Sequence, residues 1–145
     1  MATVLDEIVA AKREEVAEAK QRLDRKALDD RVASAPPPRD FFAAISKPGG
    51  INLIAEFKRK SPSAGEILTG PLKGATVEEI VAAYQLAGAA AISVLTDATW
   101  FGGSLDDLAA AHAVATVPIL RKEFVIDPLQ VHEARAAGAD AVLLI

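Results

Sequence analysis

The chain has 145 residues, with 16 Lys and Arg against 20 Asp and Glu for a formal charge of −4. That length suits one domain, and the balance argues against a general nucleic-acid or membrane-surface binder. It is 51% hydrophobic but only 5% aromatic and has no Cys, so the expected core is built from Ala, Val, Leu and Ile, and disulfides and thiolate metal sites are excluded.

The opening residues include Asp6, Glu7, Lys12, Arg13, Glu14 and Glu15, so no signal peptide is expected at the start of the chain, and no apolar run is long enough to span a bilayer. A cytoplasmic setting is the expectation. Over residues 3–23, Val4, Leu5, Ile8, Val9, Val16 and Leu23 recur with charges between them, which predicts an amphipathic helix. A second short helix is predicted over residues 25–33, ended by Pro36-Pro37-Pro38, which also forms a stiff spacer. Asp40 caps a third over residues 41–46, and Lys47-Pro48-Gly49-Gly50 reads as a turn. Residues 1–50 are thus expected to form a helical extension ahead of the main unit, residues 51–145.

From Ile51 the rhythm is strand, loop, helix. Strand one is predicted over residues 51–58, followed by a loop over 59–75. Thr76 and Glu79 form a capping box for a helix over 77–87 that Gly88 closes. Strand two is predicted over 91–95, a loop over 96–103, and a helix over 105–115 capped by Ser104. Strand three is predicted over 118–122. Asp127-Pro128 supplies a cap and an N1 proline for a helix over 128–137 that ends at Gly138, and strand four covers 140–145.

Two segments are near-copies: Ala87-Gly88-Ala89-Ala90-Ala91-Ile92-Ser93-Val94-Leu95 and Ala137-Gly138-Ala139-Asp140-Ala141-Val142-Leu143-Leu144-Ile145. Repeated βα units with buried strands imply a parallel sheet with right-handed crossovers. An open doubly wound sheet and part of a (β/α)8 barrel both satisfy this. No Gly-rich phosphate fingerprint follows any strand, which counts against the former. Inward-facing charge on strands one and three favours the barrel, whose enzymes gather their chemistry from several strand ends on one rim. The fold expectation is therefore the first four βα units of a (β/α)8 barrel behind extra N-terminal helices. A whole barrel takes roughly 250 residues, so the chain reads as a front half. Such a half exposes two sheet edges and an apolar interior, which invites self-association or pairing with a missing C-terminal half.

Candidate chemistry gathers at two strand ends. In Leu53-Ile54-Ala55-Glu56-Phe57-Lys58, alternation puts Ile54, Glu56 and Lys58 on one face and Leu53, Ala55 and Phe57 on the other. A carboxylate and an ammonium on a buried face must be paired or open to a cavity, so a structural ion pair competes with a site. Arg59 and Lys60 read as loop charges. In Leu120-Arg121-Lys122-Glu123-Phe124, Leu120, Lys122 and Phe124 share a face and Arg121 and Glu123 share the other. Lys122 beside an aromatic ring, with Lys58 across the mouth, is a candidate acid; a solvated rim lysine is the competing reading. Phe101, ahead of Gly102 and Gly103, lines a pocket or anchors a loop. His112 and His132 fall on predicted helices with no partner at ligand spacing and read as structural. No metal or nucleotide motif is present.

The stretches IAEFKRKSPS, SVLTDATWFGGS, PILRKEFVID and HEARAAGADAVLLI resemble the indole-3-glycerol phosphate synthase family over essentially the whole chain, though over only four of that family's eight strands. The resemblance implies a cofactor-free lyase of tryptophan biosynthesis, acting on a small anionic phosphorylated substrate. The reaction closes the ring of 1-(2-carboxyphenylamino)-1-deoxyribulose 5-phosphate with loss of carbon dioxide and water. It implies Lys122 as general acid, Lys58 as holder of the substrate's anionic groups, and Glu56 as the carboxylate that positions Lys58 and substrate hydroxyls. Ser61 and Pro62 would contact the anthranilate ring and its carboxylate, and Phe101, Phe124 and Leu143 would wall the ring pocket. Asp97 departs from the Glu common in the family. The strand-five carboxylate and the phosphate loops after strands seven and eight are not in this sequence, so the 145-residue chain alone is expected to lack turnover. Two other readings stand beside it: a barrel aldolase using Lys122 as a Schiff-base nucleophile, and a non-catalytic, self-associating half-barrel.

Overall fold

The computed structural model describes residues 3–145. Helix α1, Val4–Arg22, starts at a capping box in which the Thr3 hydroxyl accepts from the Asp6 amide and the Asp6 carboxylate accepts from the Thr3 amide. Asp6 and Glu7 in its first turn and Lys20 and Arg22 in its last suit the helix dipole. Its buried stripe is Ile8, Lys12 and Val16, four residues apart and so on one face, with a lysine where an apolar residue would be expected. Helix α2, Arg25–Ser34, is capped by Asp24 and buries Leu28. Helix α3, Phe41–Ile45, is capped by Asp40, and the intervening prolines lead back along the barrel unit.

Four parallel strands follow: β1 (Ile54–Phe57), β4 (Ala91–Leu95), β5 (Ile119–Lys122) and β6 (Ala141–Val142), in the order β1-β4-β5-β6. Between the first two lies a small antiparallel pair, β2 (Lys60–Ser61) with β3 (Gly65–Glu66). The main strands sit side by side in chain order. A doubly wound sheet reverses its order at a switch point; this one does not, so it is an arc of a (β/α)8 barrel, open at both edges. Helices α4 (Val77–Leu86), α6 (Leu105–Val114) and α7 (Pro128–Ala136) cover its outer face. The Thr76–Glu79 capping box and the Ser104 and Asp127 caps all form.

Two outer strands are shorter than the sequence predicts. Strand one is Ile54–Phe57, not 51–58, and strand four is Ala141–Val142, not 140–145. Ile51 is 98% exposed and Ile145 76%: each flank has a neighbour on one side only, so pairing stops early. The two long loops are also not structureless. Residues 59–75 contain the β2–β3 pair and a 3-10 turn at Gly70–Leu72, and residues 96–103 contain a one-turn helix α5, Ala98–Phe101.

The core lies between sheet and helices. Phe57, Ile92, Leu108 and Ile119 are under 2% exposed, each contributing about 1.5–3 kcal/mol by burial. Val77, Ile80 and Val81 meet them from α4, at the spacing of one helix face. The two near-copied segments fold bond for bond. Gly88 and Gly138 both take positive φ, at 91° and 94°. The Ala89 amide donates to the Tyr84 carbonyl as Ala139 does to Ala134. The next amides, of Ala90 and Asp140, donate to the carbonyls of Leu53, just ahead of β1, and Ile119, at the start of β5.

Candidate active site

The register lays side chains in rows across the inner face. Glu56 pairs with Ser93, Ser93 with Leu120, and Leu120 with Ala141; two residues further toward the carboxyl ends, Leu95 pairs with Lys122. Phe57, Val94, Arg121 and Val142 form the alternate row on the helix side, where Phe57 and Val94 join the core. Lys58 extends β1 by one residue, on the same face as Glu56.

The rows bring two amines to one carboxylate. Glu56 Oε1 lies 2.9 Å from Lys58 Nζ, and Glu56 Oε2 lies 3.0 Å from Lys122 Nζ. Burial opposes the ionisation of Glu56, but hydrogen bonds from Lys58 and Lys122, and their charge, outweigh it and hold the carboxyl below its ordinary range. All three side chains are part-exposed, at 28–36%, so the cluster faces open space rather than the core. The Tyr84 hydroxyl, on α4, donates to the Glu56 carbonyl at 2.9 Å and pins β1 from behind. Burial, with the charge of Glu56, raises the Tyr84 pKa above its usual value.

Phe101 ends α5 and Phe124 follows β5. Their ring centroids are 6.2 Å apart with the planes tilted by 35°, the distance range of an aromatic pair. Phe124 lies two residues beyond Lys122, past a bend at Glu123. Leu143 lies on the inner face, since Val142 packs into the core. Ser61 and Pro62 stand apart: the Ser61 hydroxyl accepts from the Ala64 amide at 3.1 Å, which holds the turn between β2 and β3, and Pro62 is exposed there. Arg59 is not a free loop charge. It pairs with Asp107 on α6 and lies 5.1 Å over the Phe57 ring. His112 accepts from Arg39 through Nδ1 at 2.6 Å and packs under Gly138, where an added Cβ would come within 2.4 Å of its ring.

Several contributors are invisible to motif reading. Ser93 is 4% exposed on the inner row beside Glu56, and its hydroxyl has no hydrogen-bond partner among the described residues. Asp97 is fully buried; its Oδ1 caps α5 by accepting from the Trp100 amide at 2.7 Å, and its Oδ2 lies 2.9 Å from Lys12. Lys12 also reaches Glu123 at 3.2 Å and Glu15 at 2.6 Å. Arg121 donates to Thr96 and to the Gln130 carbonyl on the same side. A buried Asp after a strand is the one sequence signal that could have marked this cluster. A cleft of about 200 Å³ lined by Lys12, Thr96, Arg121 and Glu123 lies behind the sheet, on the far side from Lys58 and Lys122. Among the described residues no group of His, Asp or Glu side chains is placed to hold a metal ion.

The sequence model of the family described as indole-3-glycerol phosphate synthase matches residues 5–145. The chain belongs to this family. It is 48% identical over 146 residues to the indole-3-glycerol phosphate synthase of Mycobacterium ulcerans, covering 99% of this chain and 51% of that protein. Indole-3-glycerol phosphate synthase 2 of Ralstonia nicotianae is 48% identical over 145 residues, covering 98% of this chain and 53% of that one. The enzyme of Saccharopolyspora erythraea is equally similar over 143 residues. The chain thus spans about half the length of these synthases.

Proposed function

We propose that this chain supplies the first half of an indole-3-glycerol phosphate synthase active site, with residues 1–50 as an extension to the barrel unit 51–145. The observation that carries the reading is the convergence of Lys58 and Lys122, from β1 and β5, on Glu56. Ring closure requires a proton for a carbonyl oxygen as the aromatic carbon attacks it. Lys122 stands at a strand end as a hydrogen-bonded ammonium and delivers that proton. It then assists loss of the resulting hydroxyl as water, after the ring carboxylate has left as carbon dioxide. Lys58 holds the substrate's anionic groups by charge, and Glu56 keeps both amines aimed at one space. Phe101, Phe124 and Leu143 wall the aromatic ring, with Ser61 and Pro62 at its edge. No cofactor enters, and the setting is the cytoplasm. The phosphate and the second carboxylate fall to residues beyond this half, so the open edges at β1 and β6 are where the rest of a barrel, or a second copy, would pair.

The test is a barrel completed with the C-terminal half of the Mycobacterium ulcerans synthase. Lys122→Ala should cut indole-3-glycerol phosphate formation by about 10² to 10⁴ with the circular dichroism spectrum unchanged, and the 145-residue chain alone should show no turnover. Retained activity in Lys122→Ala shows that another group delivers the proton. Borohydride-trapped substrate on Lys122 would instead establish an aldolase-like covalent route.

A further inference from the structure

We propose that Lys12 is a positioning residue that sets the placement of the two paired rings of the aromatic wall, Phe101 and Phe124, from behind the sheet. The identity of the ligand at that wall rests on the synthase reading; the geometry does not. Lys12 lies in the buried stripe of α1 between Ile8 and Val16 and is 4% exposed. Its ammonium touches two deeply buried carboxylates, Asp97 and Glu123, and the outlying Glu15. Each buried carboxylate governs one ring. Asp97 brackets α5, which ends at Phe101: its side chain accepts from the Trp100 amide and its carbonyl from the Gly103 amide, at 2.7 and 2.8 Å. Glu123 accepts the Phe124 amide at 2.8 Å on Oε1, the same oxygen that faces Lys12, and the Thr96 hydroxyl at 2.8 Å on Oε2. One ammonium therefore ties the anchor of one ring to the anchor of the other.

Docking α1 does not require this. Burial alone would drive the proton from Lys12; the hydrogen bonds to Asp97 and Glu15 and the charge of Glu123 reverse that and raise its pKa above the ordinary lysine value. Buried ionic clusters are often no more stable than apolar residues of the same volume. What such a cluster adds is direction: three charges with fixed contacts hold Asp97 and Glu123 in one relative position, which an apolar residue would not. An aromatic wall that packs on a substrate ring equally in ground and transition states acts on KM rather than kcat.

The experiment compares Lys12→Met, Lys12→Arg and the charge-neutral Lys12→Met/Asp97→Asn/Glu123→Gln. In the 145-residue chain, Lys12→Met should speed amide exchange at Trp100 and Phe124 by about tenfold more than at Ile92 and Leu108, since local opening is separable from global unfolding; Lys12→Arg should restore it. In the completed barrel, Lys12→Met should raise KM by about tenfold and leave kcat within about twofold. The neutral triple variant, which no longer sets two buried carboxylates against a missing ammonium, should regain part of the stability yet keep the raised KM. Uniform exchange across the chain, an unchanged KM in Lys12→Met, or a wild-type KM in the triple variant overturns the proposal. If the unmutated barrel forms no indole-3-glycerol phosphate, the synthase reading falls, and the exchange pattern still decides the role of Lys12.

Discussion

Gly102 and Gly103 are adjacent and identical, yet the structure predicts that alanine at one will cost far more than at the other. At Gly103 an added Cβ would sit 2.1 Å from the Leu95 carbonyl oxygen and 2.7 Å from its carbon. To reach an ordinary contact of 3.4 Å, the end of β4 and the start of α6 must part by about 1.3 Å in a packed interior. The obstacle is backbone and cannot rotate away, so the penalty belongs at the upper end of overpacking, about 3 kcal/mol. At Gly102 the obstacle is conformational: φ is +66°, and the nearest atoms, on Lys60 and Arg59, stand at 3.4–3.5 Å. Alanine there pays roughly 1–2 kcal/mol for the left-handed conformation and nothing for space. Urea unfolding followed by circular dichroism separates them. With a slope of about 1–3 kcal/mol/M, Gly103→Ala should lower the midpoint by roughly 1–3 M and Gly102→Ala by about one third to two thirds as much. A Gly103→Ala midpoint matching the unmutated chain, or a Gly102→Ala effect larger than that of Gly103→Ala, would refute the reasoning.

Two further outcomes test other parts of the molecule. Glu56 has its pKa lowered from 4.5, so its ion pairs add stability above pH 4.5 that is lost as pH falls through the lower folded-state value; Glu56→Gln should flatten the fall in urea midpoint between about pH 4.5 and pH 3, and an identical slope in both proteins would show that the triad does not hold the fold. Asp140, with a side chain only 2% exposed, accepts the Arg39 and Ile119 amides at 2.7 and 2.8 Å and pairs with the Arg39 guanidinium at 3.0 Å; Asp140→Ala should cost about 3–5 kcal/mol of unfolding free energy, and a loss under 1 kcal/mol by the same urea assay would mean that this clasp between extension and barrel is weak.

Helix caps were the most legible part of the sequence. Asp40, Thr76, Ser104 and Asp127, the caps expected from the sequence, all accept from first-turn amides, because a cap is a local hydrogen bond that needs nothing from the rest of the chain; Thr3 and Asp24 cap α1 and α2 in the same way. The strand faces were legible for the same reason: alternation is a local period, and it put Glu56, Lys58 and Lys122 together and Arg121 and Glu123 opposite. What stayed hidden was non-local. Helix α5 and the β2–β3 pair are too short to show a period. Lys12 reads as an ordinary helical charge until the fold delivers Asp97 and Glu123 to it across more than eighty residues of chain. Asp97, read as a shortened Glu in a loop, is a cap and an ion-pair partner at once. The Ser61 hydroxyl, expected as a ligand contact, also accepts from the Ala64 amide and holds a turn.

The run Arg121-Lys122-Glu123 shows how one strand serves two purposes. Three charges in a row at the end of β5 look like a solvated terminus, but the pleat sends them to opposite sides. Lys122 goes forward to Glu56, part-exposed; Arg121 and Glu123 go back, each 4% exposed, into contacts with Thr96, Gln130 and Lys12. The two sides cannot be traded, since a one-residue slip would take Lys122 from Glu56 and draw Arg121 and Glu123 out of their buried contacts with Gln130, Thr96 and Lys12. Breaking that buried ionic cluster would cost several kcal/mol. The ionic cluster behind the sheet thus fixes the register that aims the amine in front of it, and the fold holds its candidate acid in place through a neighbour that never meets the substrate.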